Sequence, residues 1–251
     1  MIKYLLLICL SLSLINCKKE NPLQINTITY DLKSEHNCTN ENCTYVHIEA
    51  PQIIGNDVVS KLINEQYFTF VQEILSFEND AKTNSYDTLA LNFIKNYNEA
   101  YRTYPENALP WEANFNLEHK PLSLKVHQFV CDYFIFTGGA HGSHAVKSFI
   151  IDLNSGKTIP KKELFINFEG FKKYAEAEFR KQMNISGDLN EAGFTFADNK
   201  FKLSENFYET KTDWILHYNT YEIAPYVQGT TIIKLPKQEV ASYLNPLYFK
   251  N

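Results

Sequence analysis

The feature that most constrains this chain is a glycine-rich loop between two strand-like segments. Residues 137–144 have the sequence Thr-Gly-Gly-Ala-His-Gly-Ser-His and hold three of the chain's nine glycines. Such clusters occur where the backbone adopts positive φ angles or where another group approaches it closely. The preceding segment carries apolar side chains on both faces: Leu124, Val126 and Val130 on one, and Phe129, Cys131, Tyr133 and Ile135 on the other. That pattern predicts a central strand covered on both sides.

Hydrophobic periodicity predicts the remaining elements. Alternation predicts strands at 25–32, 45–50 (ended by Pro51), 111–117, 145–153, 201–203, 207–210, 214–219 and 231–235, with a hairpin turn at 154–157. Helical spacing predicts helices at about 57–77, 85–103, 167–183 and 237–244. This order predicts an α+β fold, with mostly antiparallel sheets packed with a few helices in two subregions. We place the subregions at residues 25–110 and 111–251.

Residues 1–16 have the pattern of a secretory signal peptide. Lys3 precedes an apolar stretch that is too short to span a bilayer, and charged residues follow soon after it. The stretch ends at Cys17, which resembles the lipidated cysteine of bacterial lipoproteins. We therefore expect a tether at 17–24 and a lipid anchor on Cys17, which would hold the protein in the bacterial cell envelope, at the outer membrane or facing the periplasm. The alternative is an ordinary secretory signal in which Cys17 is incidental.

Charge and cysteine usage narrow the range of partners and compartments. The formal net charge of −5 argues against nucleic acid and anionic membrane surfaces as general partners. Cys38 and Cys43 lie close together in a polar loop, so we expect a disulfide between them in an oxidising compartment. A zinc site completed by His36 and His47 is the alternative. Cys131 lies within a predicted strand and is expected to be a buried free thiol.

Three segments together resemble a known bacterial envelope domain. They are residues 136–142, the strand and hairpin at 148–157 that lead to Glu163-Leu164-Phe165, and residues 221–229 with the apolar strand that follows. In this order and spacing they are similar to the extracytoplasmic part of RsiV anti-sigma factors and to the domain that accompanies the deacetylase in PdaC, a peptidoglycan deacetylase. The resemblance covers most of the chain from about Ile25. It implies an α+β envelope module, often anchored by lipid, which binds lysozyme in RsiV-like proteins.

Two features of those proteins are not expected here. The sequence contains neither the Asp-Asp-Gly metal motif nor the His-x-x-x-His pair of the deacetylase domain, and we find no cytoplasmic anti-sigma segment. The resemblance thus implies partners such as a lysozyme-like protein or peptidoglycan. We expect no cofactor and no metal. The resemblance transfers no binding residues to this chain.

The two histidines of the glycine-rich loop, His141 and His144, are three residues apart. On a helix this spacing could supply two metal ligands, but the glycines favour a tight turn whose histidines bond to backbone carbonyls. A small anion would bind such a loop through its backbone N–H groups. A catalytic alternative combines His141 with Asp132 or Asp152, near the ends of the flanking strands. Since no Gly-x-Ser-x-Gly or His-Glu-x-x-His accompanies them, these three remain weak catalytic candidates.

Residues 221–229 are predicted to form an irregular corner, in which Pro225 fixes φ and Gly229 permits a turn. It is either an architectural corner or an aromatic, acid-tipped groove for glycan or protein. The candidate ligand-binding residues are Gly138, Gly139, His141, His144, Tyr221, Glu222 and Tyr226. We expect a non-catalytic binding module for an envelope partner, a lysozyme-like protein or cell-wall glycan. The alternatives are a hydrolase or accessory factor acting on envelope polysaccharide, and a purely structural lipoprotein.

Overall fold

The computed structural model describes residues 24–35, 38, 43–55, 57–80, 82–105 and 109–250. The predicted signal peptide, Cys17 and His36 lie outside the described residues. Cys38 and Cys43 form a disulfide, and Cys131 is a buried free thiol. Within the described part of the chain, no helix is long and apolar enough to cross a membrane.

The described residues form two β-sheets and five α-helices. The strands are β1 (Gln24–Lys33), β2 (Tyr45–Ile54), β3 (Glu112–Pro121), β4 (Val126–Phe136), β5 (Ser143–Asp152), β6 (Lys157–Thr158), β7 (Asn206–Glu209), β8 (Asp213–Tyr218) and β9 (Thr231–Pro236). The helices are α1 (Val58–Leu75), α2 (Tyr86–Thr103), α3 (Phe168–Gln182), α4 (Lys237–Ala241) and α5 (Pro246–Phe249). Strands β1 to β6 form one sheet in sequence order, and β7 to β9 form the other. All pairs are antiparallel except β2 with β3, so the predicted α+β class is confirmed.

The first hydrophobic core lies between one face of the six-stranded sheet and the helices α1 and α2. Each helix begins at a side chain that accepts a backbone N–H: Asp57 from Ser60 at 2.8 Å, and Ser85 from Thr88 at 3.4 Å. Alternate strand residues face the helices, and they are joined by buried aromatic side chains such as Phe93 and Phe115. The same alternation leaves every second residue of these strands on the opposite face.

The second core lies on that opposite face, but only at the end formed by β4 and β5. There Val126 and Ile150 pack with the three-stranded sheet, with α3 and with a set of aromatic side chains that includes Phe171, Phe179 and Trp214. Both faces of β4 are therefore covered over much of its length, as the sequence predicts. Toward β1, β2 and β3 nothing in the described chain covers the same face to a comparable extent, and residues such as Asp31 and Asn116 are exposed.

Three local predictions are wrong. Leu124 is 84% exposed because it lies in the turn before β4 begins. Residues 201–203 do not form a strand, although Phe201 and Leu203 are buried in the second core. Pro51 does not end β2, which continues to Ile54. The pairing of β2 with β3 already stops at Ile48, so no hydrogen bond to β3 is lost because proline lacks an N–H.

The proposed boundary between residues 110 and 111 does not separate the two sheets. Strand β3 follows that position but pairs in parallel with β2, from Tyr45 opposite Glu112 to Ile48 opposite Phe115. Helices α1 and α2 form the crossover that such a parallel connection requires. The change from one sheet to the other instead follows β6, in the segment that contains the short 3₁₀ helix Lys161–Leu164.

Side-chain amides join the two sheets. The Asn219 amide accepts the Val146 N–H at 2.8 Å and donates to the Val146 carbonyl at 2.9 Å. Gln128 binds both backbone groups of Glu209 in the same way, at 2.7 and 2.8 Å. We call this arrangement an amide clamp, because one amide takes the place of a neighbouring strand for a single residue. Two further clamps hold outer strand edges: Asn64 on Ile53 and Gln182 on Lys234.

Candidate binding cleft

A cleft of about 590 Å³ lies between the glycine-rich loop and the corner formed by residues 220–229. One wall comes from the end of β4, the loop and the start of β5; the other comes from the segment between β8 and β9. The structure therefore brings together two segments that are about eighty residues apart in the sequence. Of the predicted ligand-binding residues, those that line the cleft are Gly138, His141, His144, Tyr221 and Tyr226.

The glycines of the loop are required by its backbone and by its packing. Gly138 and Gly139 have φ angles of 95° and 96°, a region that side-chain-bearing residues rarely adopt. Gly142 lies against Phe134, and a Cβ atom at this position would overlap the ring. Glycine at these positions allows this loop conformation, in which His141 lines the cleft.

His141 stacks on Tyr226 across the cleft. The two ring centroids are 4.1 Å apart and the rings are inclined by 20°. His141 Nδ1 lies 3.2 Å from the carbonyl oxygen of Gly142, which is the backbone bonding expected for a histidine in this turn. Tyr226 also contacts Tyr221, with 5.4 Å between the ring centroids. Three aromatic rings from two segments thus form one surface at the cleft.

Tyr221 combines exposure with an unfavourable backbone conformation. Its side chain is 65% exposed, and its φ of 69° places an aromatic residue in the left-handed region. That conformation costs on the order of 1–2 kcal/mol for a residue with a Cβ atom. Strain of this kind concentrates at functional positions, where the surrounding structure maintains it.

Glu222 lies at the corner, and its carboxylate turns back to the protein. Its Oε2 accepts the backbone N–H of Asn219 at 2.9 Å, and Asn219 in turn clamps Val146 on β5. This chain of bonds fixes the corner relative to the sheet. Of the predicted ligand-binding residues, Glu222 is thus placed to position the others rather than to line the cleft.

The two acidic catalytic candidates lie far apart. Asp132 lies on β4 and its carboxylate bonds with His144 Nε2, at 2.9 and 3.0 Å, rather than with His141. Asp152 ends β5, eight residues from His144, which is about 26 Å in a strand. The carboxylate of Asp152 instead binds Asn154 and Ser155 in the hairpin turn. The structure does not assemble the predicted set of His141, Asp132 and Asp152.

A buried histidine near the His144–Asp132 pair was not identified from the sequence. His217 on β8 is 5% exposed, and its Nδ1 lies 3.1 Å from the Tyr208 hydroxyl. Burial lowers the pKa of His217, and the proximity of His144 lowers it further, whereas Asp132 acts in the opposite direction. The alternation of side chains along β8 could have located His217. Leu216 and Tyr218 face the second core, so His217 between them faces β4 and β5. Among the described residues, no three potential ligand side chains are arranged to hold a metal ion.

Comparison with known proteins agrees with this two-part construction. Residues 37–144 match the family model described as deacetylase PdaC, and residues 162–238 match that of a protein family of unknown function, DUF3298. The chain contains a PdaC-type domain followed by a DUF3298 domain. The glycine-rich loop lies in the PdaC-type domain and the corner lies in the DUF3298 domain, so the cleft is built from both. The resemblance to PdaC- and RsiV-type proteins noted from the sequence is consistent with these matches.

Solved structures show the same fold. A DUF3298 family protein from Bacteroides fragilis is 18% identical, with a TM-score of 0.66 over 91% of this chain and 97% of its own. A DUF3298 family protein from Pseudomonas aeruginosa is 16% identical, with a TM-score of 0.64 over 92% of this chain and 98% of its own. At these identities the similarity establishes the fold alone. No protein with curated annotation matches the sequence significantly.

Proposed function

We propose that this chain is a lipid-anchored protein of the bacterial cell envelope whose cleft binds cell-wall glycan without catalysis. The observation that carries the proposal is the surface formed by His141, Tyr221 and Tyr226, because exposed aromatic rings with polar edges pack on the flat faces of sugar rings. The imidazole of His144 and the carboxylate of Asp132, which lie at the same site, supply acceptors and donors for hydroxyl groups.

The geometry favours glycan over a lysozyme-like protein. The cleft is concave and of a size typical for small ligands, whereas a stable protein interface buries about 800 Å² on each partner. The net charge of −5 would attract a basic lysozyme, but such a charge is ordinary for a protein of this size. We therefore do not propose lysozyme binding, and the experiment below measures it separately.

The proposed location rests on the sequence around Cys17 and on the disulfide between Cys38 and Cys43, which is typical of oxidising compartments. Fractionation of cells that express the Cys17→Ser variant tests the anchor. We expect the variant to move from the membrane fraction to the soluble fraction. Retention of an acylated product in the membrane would contradict lipidation at this residue.

The hydrolase alternative would use the carboxylate–imidazole pair of Asp132 and His144 as a base. In the described part of the chain, neither His144 nor His141 hydrogen-bonds to a hydroxyl or thiol that could act as nucleophile. A base could also activate water directly. An assay for the release of reducing ends therefore decides between hydrolysis and binding without catalysis.

Titration calorimetry with soluble peptidoglycan fragments and with lysozyme tests the proposal. We expect the fragments to bind, and Tyr226→Ala to weaken that binding at least about tenfold, because it removes the central ring of the surface. Tyr104→Ala is the matched control, since Tyr104 is 67% exposed at the end of α2 and lies outside the cleft. Binding of lysozyme alone, or release of reducing ends that His144→Ala abolishes, would overturn the proposal.

A further inference from the structure

Strand β1 begins at the end of the six-stranded sheet that lies opposite the cleft. Its first residue, Gln24, pairs with Ile54 at the end of β2, and we call this end of the sheet the tether end. At the other end of β2, Tyr45 pairs with Glu112, which pairs with Phe136 beside the glycine-rich loop. The two ends of β2 are about 30 Å apart, since each strand residue advances about 3.3 Å. The predicted tether therefore joins the sheet at the end farthest from the cleft.

The length of the predicted tether limits how far the tether end can lie from the membrane. Cys17, on which we propose the lipid, precedes Gln24 by seven residues. A fully extended chain spans at most about 3.3–3.6 Å per residue, so the start of β1 lies within about 25 Å of the lipid. An inverted molecule, with its cleft on the bilayer, would hold Gln24 about 30 Å away from the membrane, which exceeds this reach.

Large apolar side chains are exposed at the tether end. Val58, the first residue of α1, is 71% exposed, and Ile54 at the end of β2 is 49% exposed. Leu124 is 84% exposed in the turn between β3 and β4, which lies at the same end because β3 runs parallel to β2. Exposed apolar patches of this kind mark surfaces that contact another protein or a membrane.

Direct contacts join the elements that carry these side chains. A Cβ atom at Gly156, in the hairpin before β6, would lie 2.9 Å from the carbonyl oxygen of Val59, so the hairpin packs on the first turn of α1. Leu153, in the same hairpin, donates its N–H to the carbonyl oxygen of Lys125 at 2.8 Å. Lys125 follows Leu124 in the turn before β4. The start of α1, the hairpin and the turn thus form one continuous part of the tether end.

Exposed lysines lie on the same three elements: Lys61 on α1, Lys125 in the turn before β4 and Lys157 at the start of β6. Within the described part of the chain, the ion pairs are made by other lysines, so these three ammonium groups can meet lipid phosphates. Two nearby carboxylates, those of Asp57 and Asp152, accept hydrogen bonds from their own turns. The net charge of −5 opposes a general attraction to membranes, but it does not describe this end.

We infer that the tether end docks on the surface of the membrane that carries the lipid, with Val58 and Leu124 inserted among the lipid headgroups. This inference rests on the proposed lipid anchor and adds the orientation of the molecule on the bilayer. Because the anchor keeps the protein at a high effective concentration near the lipid, a few side chains suffice to orient it. The cleft then faces away from the bilayer, about 30 Å above the docked surface, and stays open to a ligand.

Quenching of an added tryptophan by brominated lipid tests the docked surface. The full chain, purified with its lipid, is reconstituted into vesicles of phosphatidylethanolamine and phosphatidylglycerol with brominated acyl chains. Relative to wild-type protein, we expect the fluorescence added by Val58→Trp and by Leu124→Trp to fall at least about twofold, because interfacial side chains insert about 5–10 Å into the bilayer. Val227→Trp is the matched control, since Val227 is 91% exposed and lines the cleft. Its added fluorescence should be unchanged.

The contribution of the lysines is measured in the same vesicles. In the Val58→Trp protein, the combined substitutions Lys61→Glu, Lys125→Glu and Lys157→Glu should reduce the quenching by at least about half, because they place carboxylates against anionic headgroups. Lys33→Glu is the control, since Lys33 is exposed at the opposite end of β1. Undiminished quenching in the triple variant would contradict the role given to the lysines.

Sedimentation of the vesicles separates this inference from the proposed anchor. If the protein sediments but its tryptophans at Val58 and Leu124 are not quenched, or are quenched no more than the one at Val227, the anchor stands and the docked surface is wrong. If the emission of Val58→Trp shifts with protein concentration in detergent without vesicles, a second copy covers the tether end and the inference is also overturned. Protein that stays in the supernatant refutes the anchor and the docking together, whereas binding of peptidoglycan fragments to the cleft is measured independently of both.

Discussion

The two faces of the six-stranded sheet are made by the same strands and carry opposite kinds of side chain. On the face under α1 and α2, β3 contributes Ala113, Phe115 and Leu117, all buried. On the other face the same strand contributes Asn114 and Asn116, of which the second is exposed. A one-residue step along the strand thus changes a side chain from buried to solvent-facing, which is a direct consequence of the two-residue period of side chains.

Histidines show the same difference between faces. On the covered face the half-buried His119 and His127 bond to each other, at 2.8 Å between Nε2 and Nδ1. On the open face His47 and His144 each bond to a carboxylate. Burial lowers the pKa of both covered histidines, whereas the carboxylates of the open pairs are exposed to solvent.

The largest expected effect is on the covered face. Phe115→Ala should lower the free energy of unfolding by about 3–5 kcal/mol, because the fully buried ring stacks on Tyr133 and meets Phe70 edge-on. Urea denaturation measures the change. Asn116→Ala, the next residue on the open face, should change it by no more than about 0.5 kcal/mol. Similar losses for the two variants would contradict the contrast between the faces.

A smaller loss is expected where the open face passes under the second sheet. Asn219→Ala should cost about 1–3 kcal/mol, because the N–H and carbonyl of buried Val146 lose their common partner. Hydrogen exchange of the Val146 amide should accelerate in the variant. If exchange at Val146 is unchanged, the amide clamp does not hold the two sheets together.

At the cleft we expect a substitution to raise the free energy of unfolding instead of lowering it. Tyr221→Gly should raise the free energy of unfolding by up to about 1 kcal/mol, because glycine accepts the φ of 69° without strain. The greater freedom of glycine in the unfolded chain offsets part of this gain. Binding of peptidoglycan fragments should weaken at the same time. A variant that loses stability and keeps its binding would show that the ring of Tyr221 serves packing rather than the ligand.

A pH dependence is also expected from the covered face. Burial lowers the pKa of His127 to about 4, and His119 contributes to the shift. In the unfolded chain the pKa is about 6.5, so between these values the unfolded state binds more protons. Stability should therefore decrease as the pH falls from about 6.5 to about 4. The urea midpoint at pH 7.5, 6.0 and 4.5 should change less in His127→Gln, and an unchanged slope would contradict this origin.

Periodicity predicted the elements well and their assignment to sheets poorly. Helices α1, α2 and α3 were located within a few residues, because each has a long apolar stripe and a side chain that caps its first turn. The parallel pairing of β2 with β3 was missed, since no local pattern reports which distant strand a strand will join. Residues 201–203 have the apolar pattern of a strand, but packing rather than pairing buries them.

The sequence located the two segments that form the cleft, but it did not predict which side chains contact each other there. The glycines of the loop and the tyrosines of the corner are visible as local patterns, and the resemblance placed the two segments together in one family. The bond between His144 and Asp132 and the burial of His217 depend on strand register. Register follows from the three-dimensional packing of the whole sheet, so it could not be derived from spacing along the chain.

The amide clamps also affect which strand edges are free to pair with other molecules. An unpaired strand edge offers a row of free N–H and carbonyl groups to any neighbouring molecule, and it is a common origin of aggregation. Asn64 and Gln182 occupy such groups on outer edges of β2 and β9, and Gln128 and Asn219 occupy them on β7 and β5, where the two sheets meet. Under the proposed lipid anchor, neighbouring copies would meet at high local concentration in one membrane. The clamps on Ile53 and Lys234 would then leave fewer free backbone groups for pairing between copies.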